Sequence, residues 1–85
     1  MKLIKIAILA AFTAAMIAPA QARAPTPEER TQIETSLRGF GYTLWGDIEL
    51  DGNWEIEGAK KPDSALECDL TLHAKTLQLI EEDCE

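Results

Sequence analysis

The stretch Tyr42-Thr43-Leu44-Trp45-Gly46-Asp47-Ile48-Glu49-Leu50-Asp51-Gly52-Asn53-Trp54-Glu55-Ile56-Glu57-Gly58-Ala59 decides the fold. Its period is two. Tyr42, Leu44, Ile48 and Leu50 alternate with Thr43, Trp45, Asp47 and Glu49, and Trp54, Ile56 and Gly58 alternate with Glu55, Glu57 and Ala59. Alternation of this kind marks strands with one buried face. Asp51-Gly52-Asn53 between the two runs is a turn cluster. A two-residue turn would set Ile48 against Glu55 and mix the faces. A three-residue loop sets Leu50 against Trp54 and Ile48 against Ile56, the register that keeps one face apolar. Asn53 is expected to take the left-handed position that such a loop needs.

Upstream of the hairpin the period changes. Thr26-Pro27-Glu28-Glu29 reads as a helix start, with Thr26 as N-cap, Pro27 at the first helical position and Glu29 closing a capping box. Ile33, Leu37 and Phe40 form one apolar stripe, Glu34 and Arg38 an i, i+4 pair, and Gly39 with Gly41 the stop, which places the helix at about 27–38. Downstream, Lys60-Lys61-Pro62-Asp63 is a loop. Leu66, Cys68, Leu70 and Leu72 form a third buried strand face with Glu67, Asp69 and Thr71 outside. His73 to Thr76 turn the chain into a short last strand. The expected fold is α+β: an N-terminal helix packed on a three- to four-stranded antiparallel meander, with strands at about 42–50, 54–59, 65–72 and 77–81.

The chain has 85 residues, eight Lys and Arg, 15 Asp and Glu, and a formal net charge of −7. That length holds one small domain. The acidic balance excludes a nucleic-acid binder, which needs Lys and Arg clusters against phosphate. Lys2 and Lys5 ahead of the apolar run Ile6–Ile17, followed by the small-residue patterns Ala18-Pro19-Ala20 and Ala20-Gln21-Ala22, read as a secretory signal peptide cut after Ala22, with Ala20 as the second choice. A spanning helix needs about 20 apolar residues, and this run stops short of that at Pro19. Residues 23–85 would then be one domain of 63 residues in which six bases face 15 acids, a net charge of −9. The expected location is periplasmic or extracellular, without membrane attachment after cleavage, and an oxidising compartment makes a disulfide available.

Phe40-Gly41-Tyr42, the acidic strand Asp47–Asp51, Trp54-Glu55-Ile56-Glu57-Gly58-Ala59 and the closing Leu70-Thr71-Leu72-His73-Ala74-Lys75-Thr76 together resemble the PepSY domain. The resemblance runs from about Thr26 to Glu82. Two positions depart from the family pattern: His73 stands where Asp is usual, and Leu77 where many members have Gly. PepSY domains occur in propeptides of thermolysin-like metalloproteases and as small free-standing secreted proteins. The resemblance implies a protein partner, with inhibition or regulation of a secreted protease as the role. It brings no catalytic residues.

No side-chain set here assembles chemistry. Cys68 and His73, five apart on one strand, project to opposite faces and do not make a nucleophile–base pair. Two cysteines and one histidine at these spacings do not match the usual zinc ligand pairs. No catalytic residue, metal ligand or cofactor is assigned, and His73 reads as a solvated turn side chain. Cys68 and Cys84 read as a disulfide. With a five-residue loop Leu70 faces Ile80 and Cys68 faces Glu82, making the cysteines diagonal neighbours about 7–8 Å apart, which a frayed terminus would close. Trp54 shares parity with Ile56 and is expected in the core. Trp45 shares parity with the acids, either packing over Ala59 or serving as an apolar anchor. Trp45, Asp47, Glu49, Glu55, Glu57, Glu67 and Asp69 therefore form the candidate partner-binding face. The alternatives are an acidic calcium-binding module and a structural envelope accessory.

Overall fold

The computed structural model describes residues 22–85. The signal-peptide reading, residues 1–22, lies outside the described residues except for Ala22. Helix α1 spans Pro27–Gly39 and precedes four strands: β1 Ile48–Asp51, β2 Asn53–Ala59, β3 Cys68–Leu72 and β4 Leu79–Cys84. They form one antiparallel sheet in the order β1-β2-β3-β4. The α+β reading therefore holds, with the helix as the first of the described elements.

The start of α1 follows from its first four residues. The Glu29 amide donates to Thr26 Oγ1 (3.2 Å) and the Thr26 amide to Glu29 Oε1 (2.9 Å), so both backbone donors of the capping box are satisfied. Glu34 pairs with Arg30 (3.4 Å) and not with Arg38. At the other end Gly41 takes φ +98, its amide donates to the Arg38 carbonyl (2.9 Å), and the Tyr42 amide donates to the Leu37 carbonyl (3.0 Å). This paired closure brings the residue after the glycine back over the last turn. It is why Tyr42, not Phe40, completes the helix stripe: Ile33, Leu37 and Tyr42 are buried, whereas Phe40 is 36% exposed.

The core lies between α1 and one sheet face and consists of Ile33, Leu37, Tyr42, Ile48, Trp54, Ile56, Ala59, Cys68, Leu70 and Leu72. The hairpin register is the expected one, with Ile48 opposite Ile56, Glu49 opposite Glu55 and Leu50 opposite Trp54. The left-handed turn residue is Gly52 (φ +79), not Asn53. Asn53 instead accepts from the Ala74 amide through Oδ1 (3.1 Å), fastening this hairpin to the β3–β4 turn.

The first strand is shorter than the alternation suggests, and its parity breaks. Gly58 takes φ +67, and β2 slips by one residue against β3, pairing Ile56 with Leu70 but Ala59 with Cys68. Leu44 still pairs with Lys60, so both strands turn over together where Gly46 meets residues 57–58. The contact is close: the Gly46 amide donates to the Glu57 carbonyl (2.8 Å), and a Cβ on Gly46 would lie 3.1 Å from that oxygen. Glycine at a bulge admits this approach. The consequences correct three expectations. Ala59 is in the core, Leu44 is 63% exposed, and Trp45 packs against the core cluster. β3 starts at Cys68, later than the expected 65, and Leu66 is half-exposed instead of buried because it precedes the paired strand.

The last hairpin is also displaced. Leu70 faces Glu82, Cys68 faces Cys84, and a bulge lies between Thr71 and Leu72. β4 thus begins at Leu79 and runs to Cys84, later and longer than the expected 77–81. The turn before it uses both unusual family positions. His73 accepts from the Lys75 and Thr76 amides through Nδ1 (3.1 and 3.3 Å), the work a short acidic side chain does in such turns, so it is engaged and not merely solvated. Leu77 takes φ +62, a conformation glycine adopts without penalty.

Candidate functional site

Alternation along β1 to β4 sends every second side chain away from the helix. On that outer face Glu49 lies opposite Glu55, Glu55 opposite Thr71, Thr71 opposite Glu81, and Asp69 opposite Asp83. Glu67 and Glu85 continue the ladder by exchanging both backbone hydrogen bonds (3.0 Å each). The Glu57 amide donates to the Asp47 carbonyl (3.0 Å), bringing those two residues alongside at the far end. All nine of these acidic residues are exposed. Like charges set directly opposite in a sheet cost stability.

Among the described residues none of them forms an ion pair. The two ion pairs there are Arg23–Glu29 and Arg30–Glu34, and neither involves the outer face. Arg23 stacks over Trp54 (5.6 Å), Arg38 over Trp45 (5.4 Å) and Lys61 over Tyr42 (5.0 Å), all aromatic residues of the core or packed against it. Charge is therefore sorted by side: these cations are drawn to the aromatic rings, and carboxylates fill the opposite surface. Two shallow recesses mark that surface. One, of about 430 Å³, is lined by Ala65, Glu67, Asp69, Asp83 and Glu85. The other, of about 280 Å³, lies toward the β1 edge by Asp47, Glu49, Glu55 and Glu57, with Arg23 on its rim.

Six of the seven residues of the expected face are brought together: Asp47, Glu49, Glu55, Glu57, Glu67 and Asp69. Trp45 is not among them, because the turnover at Gly46 and Gly58 carries it to the helix side under Arg38. Three acids that the sequence reading missed, Glu81, Asp83 and Glu85, complete the face. The signal for them was the parity of the cysteine pair: with Cys68 and Cys84 on one face, Glu81, Asp83 and Glu85 take the other in the diagonal and the direct register alike, and ending the last strand at 81 left them out.

The disulfide Cys68–Cys84 joins directly opposed residues with Cα atoms 3.9 Å apart. Cys68, Glu82 and Cys84 form the one cluster of three potential metal-ligating side chains among the described residues, but both sulfurs are taken by the disulfide. Beside it the Tyr42 hydroxyl donates to Glu82 Oε2. Burial of the phenol, with the Glu82 hydrogen bond and charge adding to it, pushes the Tyr42 pKa up to about 12. At the other end of the sheet the Arg23 hydrogen bond, helped by the Thr26 amide, holds the Glu29 pKa down at about 2. Tyr42 and Glu82 also line a recess of about 180 Å³ with Lys61, Leu66 and the disulfide.

Among the described residues no helix is long and apolar enough to cross a membrane. No curated protein and no solved structure matches the chain. The family match spans residues 2–83, covering α1, the sheet almost to its end and the turns at His73 and Leu77. The chain belongs to the peptidase propeptide and YPEB domain family, the PepSY family.

Proposed function

We propose that this chain is a secreted, non-catalytic PepSY module of the periplasm or extracellular space that binds a basic surface of a protein partner. The family points to a secreted protease as that partner and to inhibition or regulation as the outcome. The observation that carries the reading is the outer sheet face, where nine exposed carboxylates lie on neighbouring strands and, among the described residues, none is ion-paired. A partner's Lys and Arg side chains would relieve that repulsion on docking, and the long-range field would speed encounter. Trp45 plays no part in this face.

The test is binding of purified protein to co-secreted proteins, followed by protease assays on whatever is captured. The chain itself is expected to hydrolyse nothing. The double substitution Glu49→Gln with Glu55→Gln is expected to weaken association, to flatten its salt dependence, and to raise the melting temperature at low salt, because two opposed charges are gone. Loss of stability in the double variant, or binding indifferent to both charge and salt, would overturn the face. Millimolar calcium is expected to leave the melting temperature unchanged; a rise would favour the cation-binding reading.

A further inference from the structure

The sheet has two edges, and the chain itself covers one of them at a single residue, Leu50. Arg23 pairs with Leu50 outside β1, its amide donating to the Leu50 carbonyl (3.1 Å) and its carbonyl accepting from the Leu50 amide (2.8 Å). Nothing among the described residues pairs with the outer side of β4. The direction of the free groups follows from the ladder. Glu67 and Glu85 exchange both bonds, so hydrogen-bonded pairs fall at Glu67–Glu85, Asp69–Asp83 and Thr71–Glu81. Glu82 and Cys84 belong to the alternate pairs. Their amides and carbonyls point away from β3, toward solvent.

We infer that this edge accepts an extended segment of a partner protein as a fifth strand, and that the segment alternates basic with apolar residues. The inference rests on the protein-binding reading above and names how the partner is held. Its main chain would bond to the backbone of Glu82 and Cys84, the common geometry of strand addition. Side chains of one parity would stand beside Glu81, Asp83 and Glu85, which calls for Lys or Arg. Those of the other parity would stand beside the disulfide and Glu82, whose carboxylate accepts from the Tyr42 hydroxyl, and reach the bulged Ile80, which is 53% exposed; the sulfurs and Ile80 call for apolar groups. A second copy of this chain is a poor occupant. Antiparallel pairing of two β4 strands about Asp83 sets Asp83 against Asp83 and Glu81 against Glu85, and pairing about Glu82 is no better.

The test uses the unmutated disulfide-bonded protein and a short synthetic peptide of alternating lysine and valine, with its glutamate–valine counterpart as control. Amide hydrogen exchange at Glu82 and Cys84 is expected to slow by about tenfold with the lysine peptide and not with the control, as two new backbone bonds close the edge. Glu82→Pro removes one outward donor and is expected to weaken the peptide about tenfold, whereas Glu82→Gln keeps the donor and is expected to stay within about threefold of wild type. Should Glu82→Pro not fold, the exchange result on unmutated protein decides alone. Unchanged exchange at Glu82 and Cys84, protection appearing at β1 instead, or a concentration-dependent dimer through β4 would each overturn the inference. Partner binding that Glu49→Gln with Glu55→Gln weakens and Glu82→Pro does not would overturn the edge while leaving the carboxylate face intact.

Discussion

The edges β1 and β4 meet the same hazard by different means. An exposed strand edge offers unpaired backbone groups to any other chain. At β1 the cover is structural. Arg23 pairs by its backbone with Leu50, places its guanidinium on both oxygens of Glu29 (2.9 and 3.0 Å), and stacks over Trp54. One residue thereby ties the edge, the start of α1 and the core together. At β4 the protection is charge. Glu81, Glu82, Asp83 and Glu85 repel acidic or identical strands, and the edge is pinned from within by Cys68–Cys84 and the Tyr42–Glu82 hydrogen bond. An edge covered at Leu50 has its central backbone groups taken by the chain itself. A charged edge is closed selectively, which suits a module that must meet one class of partner and refuse itself.

The sharpest way to break this contrast is at the disulfide. Cys68→Ser with Cys84→Ser opens a loop of sequence separation 16 and is expected to cost about 3 kcal/mol, read as a fall in melting temperature. Amide exchange should rise across β4 and leave β1 protected; uniform loss would mean that the two edges are not independently held. Tyr42→Phe keeps the buried ring and deletes the bond to Glu82, for an expected cost of about 1.5 kcal/mol. The pH profile carries its signature. The Tyr42 pKa is raised to about 12 from an ordinary 10.0, so between those values the folded chain holds a proton the unfolded chain has lost. The associated stability is fully present below pH 10 and falls as pH rises toward 12, and the Phe variant should lack that decline.

Arg23→Ala attacks the other edge. It removes an exposed bidentate ion pair and a cation–π contact, and the expected fall in melting temperature is smaller than that of Tyr42→Phe because water screens the pair. Exchange should quicken at Leu50 and not at Glu82. Glu29 gives the variant a distinctive acid limb. Its pKa is lowered to about 2 from 4.5, so its stabilising contribution is present above pH 4.5 and lost as pH falls toward 2. The Ala variant should show a smaller acid loss over that range. An unchanged acid limb would mean that the Thr26 amide, and not Arg23, holds the carboxylate down.

The same contrast explains what was legible in the sequence. The β1–β2 register, the capping box and the core placement of Trp54 follow from local pattern, because a two-residue period and a cap are written in adjacent residues. What failed to show lies where backbone geometry overrides alternation. Gly46 and Gly58 permit a turnover that moves Trp45 and Ala59 to the helix side, and alternation simply continued through them assigns both residues to the wrong face. A longer loop and the bulge beside Leu72 together shift β4 by two residues, which keeps parity; Asp83 and Glu85 were missed because the expected strand ends at 81. Six carboxylates of that face were readable because they lie where parity is unbroken between residues 47 and 57 or is fixed by the run Cys68–Leu72. The edge roles of Arg23 and Glu82 had no sequence signal, since each depends on a contact between separate elements.

The smallest expected effect tests the turn that sets the position of β4. Leu77 sits at φ +62 while its side chain packs partly against the core. A left-handed residue with a Cβ carries about 1–2 kcal/mol of strain. Glycine relieves it but loses the packing and adds freedom to the unfolded chain. Alanine loses the packing and keeps the strain. Leu77→Gly is therefore expected to be more stable than Leu77→Ala by about 0.7 kcal/mol, the reverse of the order seen at ordinary backbone positions. Denaturant midpoints of the two variants measure it. Combining Leu77→Gly with His73→Asp restores both usual family residues, and the acid can accept the Lys75 and Thr76 amides as the His73 ring does. Since the turn fixes where Leu79 meets Leu72, the combined variant should keep Cys84 opposite Cys68 and form the disulfide at least as fast on refolding. If alanine proves the more stable single variant, the left-handed turn is not where the sheet's charged edge gets its register.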